Sequence, residues 1–487
     1  MIPRILPLLL GMAGHASMAM AQSSGTFTAT GSMATPRAFH TATLLTNGTV
    51  LIAGGTADFT VPFATSELYD PDQGTFTAIG NMTSPRMGHT ATLLPDGRVL
   101  IAGGSIIAGQ GFVTSNGAEI YDPATGVFSA TGNMIGNHVC QQAILLDDGK
   151  VLITGGSGAG AADRVPNAEL YDPATGTFTA TGPYVTDTHF YGFNTCQGSQ
   201  SALLADGRVL IVWEEGGAEL YDPSSNAFTR TANPIPSDFS DGLPTATLLM
   251  SGSLLVAGGD EYGNYASAEL YNLPMETFAA TVSMTTGRAL DTATLLPEGK
   301  VLMAGSYLPG NGSLASAELY DPALGVFTLT GEMTTTRSLH TATLLNNGRV
   351  LVAGGSTYGR ATPLAELYNP SVLSPAPVLF SLSGGEQAQG AILHAGTARV
   401  VTASDPAVPG EVLEIYGTGL KDGSVIPPQI AIGGSLADIV YFGNAPGFAG
   451  LNQVNVRVPT GIAAGPAVPV RLEYIGRSSN VVTIGVQ

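Results

Sequence analysis

Two sets of polar side chains recur at matched spacing along this chain, and their types could do chemistry. The first holds Arg37, Arg86, His138, Cys196, Asp241, Arg288 and Arg337; three residues further on stand His40, His89, Gln141, Ser199, Pro244, Asp291 and His340. Guanidiniums and imidazoles gathered at one place in an acidic protein would form a local positive site for a carboxylate or an anionic sugar. The same residues could instead cap strands and pair with neighbouring elements. A third set, Glu67, Glu119, Glu169, Glu219, Glu269, Glu318 and Glu366, occupies a repeated Glu-Leu/Ile-Tyr phrase. One such carboxylate would suggest acid–base catalysis. Seven suggest structure, because a buried carboxylate persists only with partners. The basic residues do not match all seven, so some of these Glu are expected to accept backbone N–H groups.

Cys140 and Cys196 precede the inner strands of adjacent units. A disulfide between neighbours is the leading expectation, and two buried free thiols are the alternative. Trp213, the only tryptophan, stands with Glu214 where other units have two glycines. The loops Gly182–Ser199 and Asn233–Leu243 are longer than their counterparts, and long loops on a rigid scaffold often carry binding. Trp213 therefore joins Arg37, Arg86, His138, Arg288, Arg337, His40, His89 and His340 as a candidate ligand contact. Asp260-Glu261 could meet a calcium ion, but two carboxylates in one loop read equally as a solvated loop.

Positioning these side chains falls to a unit found seven times between Gly25 and Pro370. Its marker tyrosines are Tyr69, Tyr121, Tyr171, Tyr221, Tyr271, Tyr320 and Tyr368, spaced by 52, 50, 50, 50, 49 and 48 residues. Each unit runs HTATLL, a turn, VLIAGG, a variable loop, AELYDP and TFTATG, with substitutions. The turn keeps its glycine in every unit, from Asn47-Gly48 to Asn347-Gly348, as a tight hairpin with positive φ requires. VLIAGG is apolar on both faces, as in a strand buried on both sides. Four strands make a sheet that cannot cover both faces alone, so the sheets must stack. The array opens with a TFTATG strand at 26–31 and ends with AELYNP at 365–370. Residues 26–31 are thus expected to complete the sheet formed by residues 340–368.

A period near 50 with a double glycine resembles the kelch repeat, whose arrays form β-propellers; the resemblance implies a seven-bladed ring at 22–370. Kelch propellers followed by an immunoglobulin-like domain resemble galactose oxidase and the glyoxal oxidases. Cys140, with Asp148-Gly149 and Gly155-Gly156 behind it, has the spacing of the cysteine that those enzymes crosslink to a tyrosine. The partner tyrosine would fall at Gly198, and the expected Tyr-His pair is replaced by Phe39-His40, Gly88-His89 and Leu339-His340. His138, His189, Tyr191 and the two cysteines could still cluster in another way. A sugar epimerase of the kelch type is the other enzymatic resemblance, through the Arg and His sets. The sialidase box is absent. Glycine-rich phrases such as Gly103-Gly104-Ser105 end strands and are not followed by helices, so no phosphate loop is expected.

After a Pro/Ser linker at 371–377, the tail at 378–487 reads as short strands between Gly and Pro turns: 378–382, 398–402, 411–417, 429–432, 438–442, 453–458, 468–474 and 481–486. That spacing fits a β-sandwich. PGEVLEIYGTGL (409–420) and YFGNAPGFAGLNQVNVRVP (441–459) resemble the immunoglobulin-like IPT/TIG fold, in a form carried by large secreted bacterial proteins, which implies an accessory or interaction role.

The chain has 487 residues and a net charge of −19, with only 11% of residues charged. Such a charge opposes binding to nucleic acid or anionic lipid. Residues 1–21 read as an export signal: Arg4, an apolar run from Ile5 to Gly14, and Ala19-Met20-Ala21 before Gln22. The apolar run is short for a bilayer span, and no later segment is longer. The expected fold class is therefore all-β, a seven-bladed kelch-type propeller followed by an immunoglobulin-like sandwich. The expected protein is exported, secreted or periplasmic, and monomeric, with no cofactor, no metal, no catalytic residue and no membrane span in its mature part. It is read as recognising extracellular carbohydrate or protein through the propeller mouth and loops. The alternatives are a carbohydrate-acting enzyme at that mouth, oxidase-like or epimerase-like, and a surface scaffold.

Overall fold

Each hairpin turn of the repeat is closed by a glycine at positive φ whose N–H bonds a leucine carbonyl. In the second repeat Gly97 adopts φ 84°, its N–H bonds the Leu94 carbonyl at 2.9 Å, and Asp96 accepts from the Arg98 N–H at 3.0 Å. The turn sets Thr90–Leu93 against Val99–Ala102, four residues buried on both faces. This is a computed structural model, and it describes residues 25–108, 111–156, 167–185, 199–213, 217–231, 244–259, 266–308, 312–382, 387–421, 424–445 and 451–487. Among the described residues every regular element is a strand. The export-signal reading at 1–21 lies outside them.

The repeats form seven four-stranded antiparallel sheets. The first runs Thr41–Leu44, Val50–Ala53, Ser66–Asp70 and Thr75–Ala78, in chain order. The seventh has only three strands of its own, Thr341–Leu344, Val350–Ala353 and Ala365–Asn369. Its fourth strand is Thr26–Ala29, in register from Thr26 opposite Asn369 to Ala29 opposite Glu366. Short extra strand pairs stand in the variable loops of the second, sixth and seventh repeats: Ser105–Ala108 with Gly111–Thr114, Tyr307–Leu308 with Gly312–Ser313, and Ser356–Thr357 with Arg360–Ala361.

Stacking of these sheets is visible in the core. Seven apolar clusters each draw from two consecutive sheets, and one of them joins Val50, Ile52 and Tyr69 of the first to Leu351, Ala353 and Leu367 of the seventh. The first strands of the seven sheets also neighbour one another in cyclic order, with Thr41–Leu44 beside Thr341–Leu344. The repeated Tyr and Phe face each other across the outer strand pair. All seven pairs have ring centroids 4.7–4.9 Å apart, tilted by 42–54°, a favourable offset for aromatic quadrupoles.

The tail forms two antiparallel sheets that share one core, including Leu413, Ile415, Ile430, Val456, Val470 and Ile484. One sheet holds Val378–Leu379, Ile392–His394, Val412–Thr418, Asn452–Arg457 and Asp438–Asn444; the other holds Ser435–Leu436, Gln429–Ile432, Gly465–Glu473 and Val482–Val486. The run at 398–402, expected as a strand, is not one. A turn through Gly396 (φ 70°) folds it back on Ile392–His394, where only a single bridge forms, Leu393 with Val400.

The tail sits on the hairpin-turn end of the repeat sheets. The Leu436 N–H bonds the Pro95 carbonyl, Val425 N–H bonds Met250, and Ser478 N–H bonds Asn346. Asn346 also donates to Glu473 at 2.5 Å, whose carboxyl is pushed up by burial. Gly476 lies so close to the seventh repeat that a Cβ there would meet Leu344 at 2.3 Å.

Candidate functional site

Inner strands of four residues span about 13 Å, so their two ends face different surroundings. The turn ends meet the tail. The starting ends, at His40, His89, Gln141, Asp291 and His340, surround an axial cavity of about 270 Å³.

The four arginines do not line it. Arg37, Arg86, Arg288 and Arg337 are at most 2% exposed, and each is turned inward onto the glutamate of its own repeat. The ion pairs are Arg37–Glu67 at 3.1 Å, Arg86–Glu119 at 2.9 Å, Arg288–Glu318 at 2.9 Å and Arg337–Glu366 at 2.7 Å. Each Nη1 also donates to the carbonyl of the glycine that ends the second strand of its repeat, Gly54, Gly103, Gly305 or Gly354, at 2.7–2.8 Å. His138 takes the same place in the third repeat. Its Nε2 lies 3.1 Å from Glu169, and its Nδ1 lies 3.1 Å from the Gly155 carbonyl, so both ring nitrogens face acceptors. The glutamates are completed by backbone N–H groups of Ala34, Thr83, Ile135, Gly136, Val185, Thr285 and Thr334. A positive mouth made of these residues is therefore corrected: desolvation and the adjoining carboxylate have already claimed the cations. Asp241 and Cys196 lie outside the described residues.

The three histidines do reach the cavity, as neutral rings. His40 Nε2 is 3.1 Å from Thr341 Oγ1, His89 Nε2 is 3.1 Å from Thr41 Oγ1, and His340 Nε2 is 3.0 Å from Thr292 Oγ1, each joining one repeat to the previous one. Burial, aided by Arg37 and Arg337 respectively, lowers His40 and His340 to about 3; His89 is held well below its ordinary value by burial and Arg86. Gln141 makes the analogous link to the Ala102 carbonyl at 2.7 Å.

Asp291 is the exception in this ring. Both carboxyl oxygens are buried, with no partner beyond a contact to the residue's own backbone N–H. Burial pushes it up to about 7, against the pull of Arg288, whose charge is taken by Glu318. In the sequence it is one member of the ring among seven and its one carboxyl; what geometry adds is burial that raises that carboxyl.

Above this polar floor stands an apolar collar. Phe39, Cys140, Leu290 and Leu339 all line the cavity and all hold a left-handed backbone, φ 53–58°, where the second repeat has Gly88 at 62°. A side chain in that conformation is strained by about 1 kcal/mol or more, and four of them share one cavity. Phe39 is braced edge-on by Phe59, with centroids 5.8 Å apart. Cys140 is not a free thiol; its expected partner Cys196 lies outside the described residues. Trp213 is 1% exposed and meets Tyr184 edge-on at 4.9 Å, so it serves the core between the third and fourth sheets rather than a ligand. The long loops at 186–198 and 232–243, and Asp260-Glu261, lie outside the described residues.

The fold has solved relatives. A fungal alcohol oxidase of the AA5 family, described as novel, catalytically diverse and in complex with copper, aligns with a TM-score of 0.64 and 18% identity, over 96% of this chain and 99% of that one. The structure of YjhT aligns with a TM-score of 0.43 and 16% identity, over 69% of this chain and 95% of that one. No protein-family profile matches the sequence. No curated protein matches it either. At this identity the likeness is one of fold: an all-β, galactose oxidase-like arrangement.

A copper centre does not fit the described residues around the cavity. The collar positions carry Phe39, Gly88, Leu290 and Leu339, none with a phenol, and each histidine Nε2 is already engaged by a threonine hydroxyl. Among the described residues no three His, Cys, Asp or Glu side chains are grouped to hold a metal. His189 and Tyr191 lie outside them. Among the described residues no helix is long and apolar enough to cross a membrane.

Proposed function

We propose that the chain is an exported protein whose seven sheets are the blades of a closed kelch-type propeller, followed by an immunoglobulin-like sandwich. Its axial cavity receives a small neutral molecule bearing hydroxyl groups, a sugar or an alcohol. Ring closure is supported by the cyclic order of the apolar clusters, and export by the pattern of residues 1–21. The single observation that carries the ligand class is Asp291: a buried carboxyl with no partner beyond its own backbone N–H, in a cavity otherwise lined by neutral imidazoles, amides, the Thr245 hydroxyl and apolar side chains. Hydroxyl groups would satisfy it, and the collar would take the less polar face of the ligand. A carboxylate ligand is disfavoured, because the nearby cations are spent on Glu67, Glu119, Glu318 and Glu366 and an anion would face Asp291.

One observation favours chemistry over recognition alone. A carboxyl raised to about 7 can take or give a proton near neutral pH, the property of a general acid–base group. The alcohol oxidase likeness supports an enzyme on this scaffold, while the residues at the cavity support acid–base rather than copper chemistry.

The test is calorimetric titration of the protein with neutral sugars, alditols and short alcohols, beside uronic and sialic acids. A neutral hydroxylated ligand is expected to bind, and Asp291→Asn to weaken it about tenfold or more. Binding confined to the acids, or undiminished in Asp291→Asn, overturns the reading.

A further inference from the structure

The outer face of the five-stranded tail sheet carries a row of aromatic and polar side chains. Leu379, Leu413, Ile415, Val454 and Val456 point into the sandwich core, so the residues alternating with them point outward. Register places Phe380 beside Tyr416, and Glu414, Asn455 and Tyr441 in one row across three strands. Phe380 and Tyr441 are 39% and 41% exposed. Tyr416 donates to Glu414 at 3.0 Å, which holds both side chains over the sheet. Two strands over and one row along, Tyr416 and Tyr441 stand about 12 Å apart, room for a short run of sugar rings.

This face does not end at the edge of the sheet. Arg457, on the same outward side as Asn455, and Asp438 at its end also line a groove of about 640 Å³ between the tail and the turn ends of the second and third repeats. Asp148, Lys150 and Asp172 form the opposite wall of that groove. The face is thus continuous with the established contact between the two parts of the molecule. Its charge is acidic in balance, with Glu414, Asp438, Asp148 and Asp172 against Arg457 and Lys150, in a chain whose net charge is −19.

We propose that this face and groove bind a neutral polysaccharide chain, lying across Phe380, Tyr416 and Tyr441 and running towards Arg457. Aromatic faces accept the C–H side of sugar rings, while the amide, carboxylate and guanidinium groups meet their hydroxyls. The acidic balance of the face and groove repels uronate polymers. The proposal concerns the end of the molecule away from the axial cavity and does not depend on it.

The experiment is electrophoresis of the full chain in native gels containing starch, xylan, mannan or mixed β-glucan, with a uronate polymer as control. At least one neutral polymer is expected to retard the protein. Tyr441→Ala, at an exposed edge position, and Arg457→Ala are expected to weaken retardation about tenfold or more, with melting temperatures near that of the parent. Asp291→Asn is expected to be retarded like the parent, so the two sites fail separately. The proposal is overturned if no neutral polymer retards the chain, or if folded Tyr441→Ala and Arg457→Ala are retarded unchanged.

Discussion

Asp291 and the three histidines pull stability in opposite directions as pH changes. Asp291 is raised by burial from 3.8 to about 7, so between those values the folded chain holds a proton that the unfolded chain releases. Its contribution is present at low pH and is lost as pH rises through that window. His40 and His340 are lowered from 6.5 to about 3, with His89 also well below 6.5. Their contribution is present above 6.5 and is lost as pH falls. Three outweigh one, so the melting temperature is expected to climb from about pH 4 to 6.5. Asp291→Asn is expected to steepen that climb and to exceed the parent at pH 8, by up to about 4 kcal/mol. Scanning calorimetry across pH checks both; a less stable Asp291→Asn at pH 8 would sink this account. A residue that costs stability where it sits is more readily explained by function than by folding.

The arginines show what the sequence concealed at this scale. Arg37 and Glu67 recur together, and the pairing of most of the seven glutamates was legible as a need for partners. That the two meet across 30 residues depends on the third strand folding back beside the first glycine of the pair, which spacing alone does not reveal. The internal repeat held a usable signal: the third repeat replaces Arg by His138, another donor, opposite its Glu169.

At the scale of elements, the double glycine was legible as the end of a strand, but its reason was not. The glycine that ends the second strand (the first of the pair in the seventh repeat, Gly305 before Ser306 in the sixth) is where the next repeat arrives. A Cβ on Gly354 would lie 2.5 Å from the Arg37 carbonyl and 2.7 Å from His40 Cε1; on Gly305 it would lie 2.6 Å from the Arg337 carbonyl and 2.7 Å from His340 Cε1. Both glycines also have positive φ, 61° and 72°. Gly354→Ala is therefore expected to lower stability by about 2–4 kcal/mol and to disturb the wall of the axial cavity, read as a lower urea midpoint together with weaker ligand binding. An unchanged midpoint would show that the seventh and first repeats give way at that contact. The short strand at 392–394 was missed for a related reason: its pairing depends on a turn at Gly396, whereas the Val-rich run beyond it looked the better strand.

At the scale of the whole molecule, the phase of the repeat was legible because the first phrase and the last are complementary halves of one unit. Thr26–Ala29 is the outer strand of the seventh sheet, and Phe27 lies in the cluster between the sixth and seventh sheets. Removing residues 22–30 is expected to uncover the edge of Ala365–Asn369, lower the melting temperature and promote association through the bare edge. A synthetic peptide of residues 25–31 is expected to restore part of the loss; no effect of the deletion on melting would contradict the pairing. The bond from Asn369 to the Thr26 carbonyl joins residues 343 apart. In biosynthesis, the strand made among the first must therefore remain unmated until almost the entire array has followed it. Until then it is a free sticky end, and a neighbouring copy that reaches it sooner would exchange strands with it, so yield during production should depend on how crowded the nascent chains are.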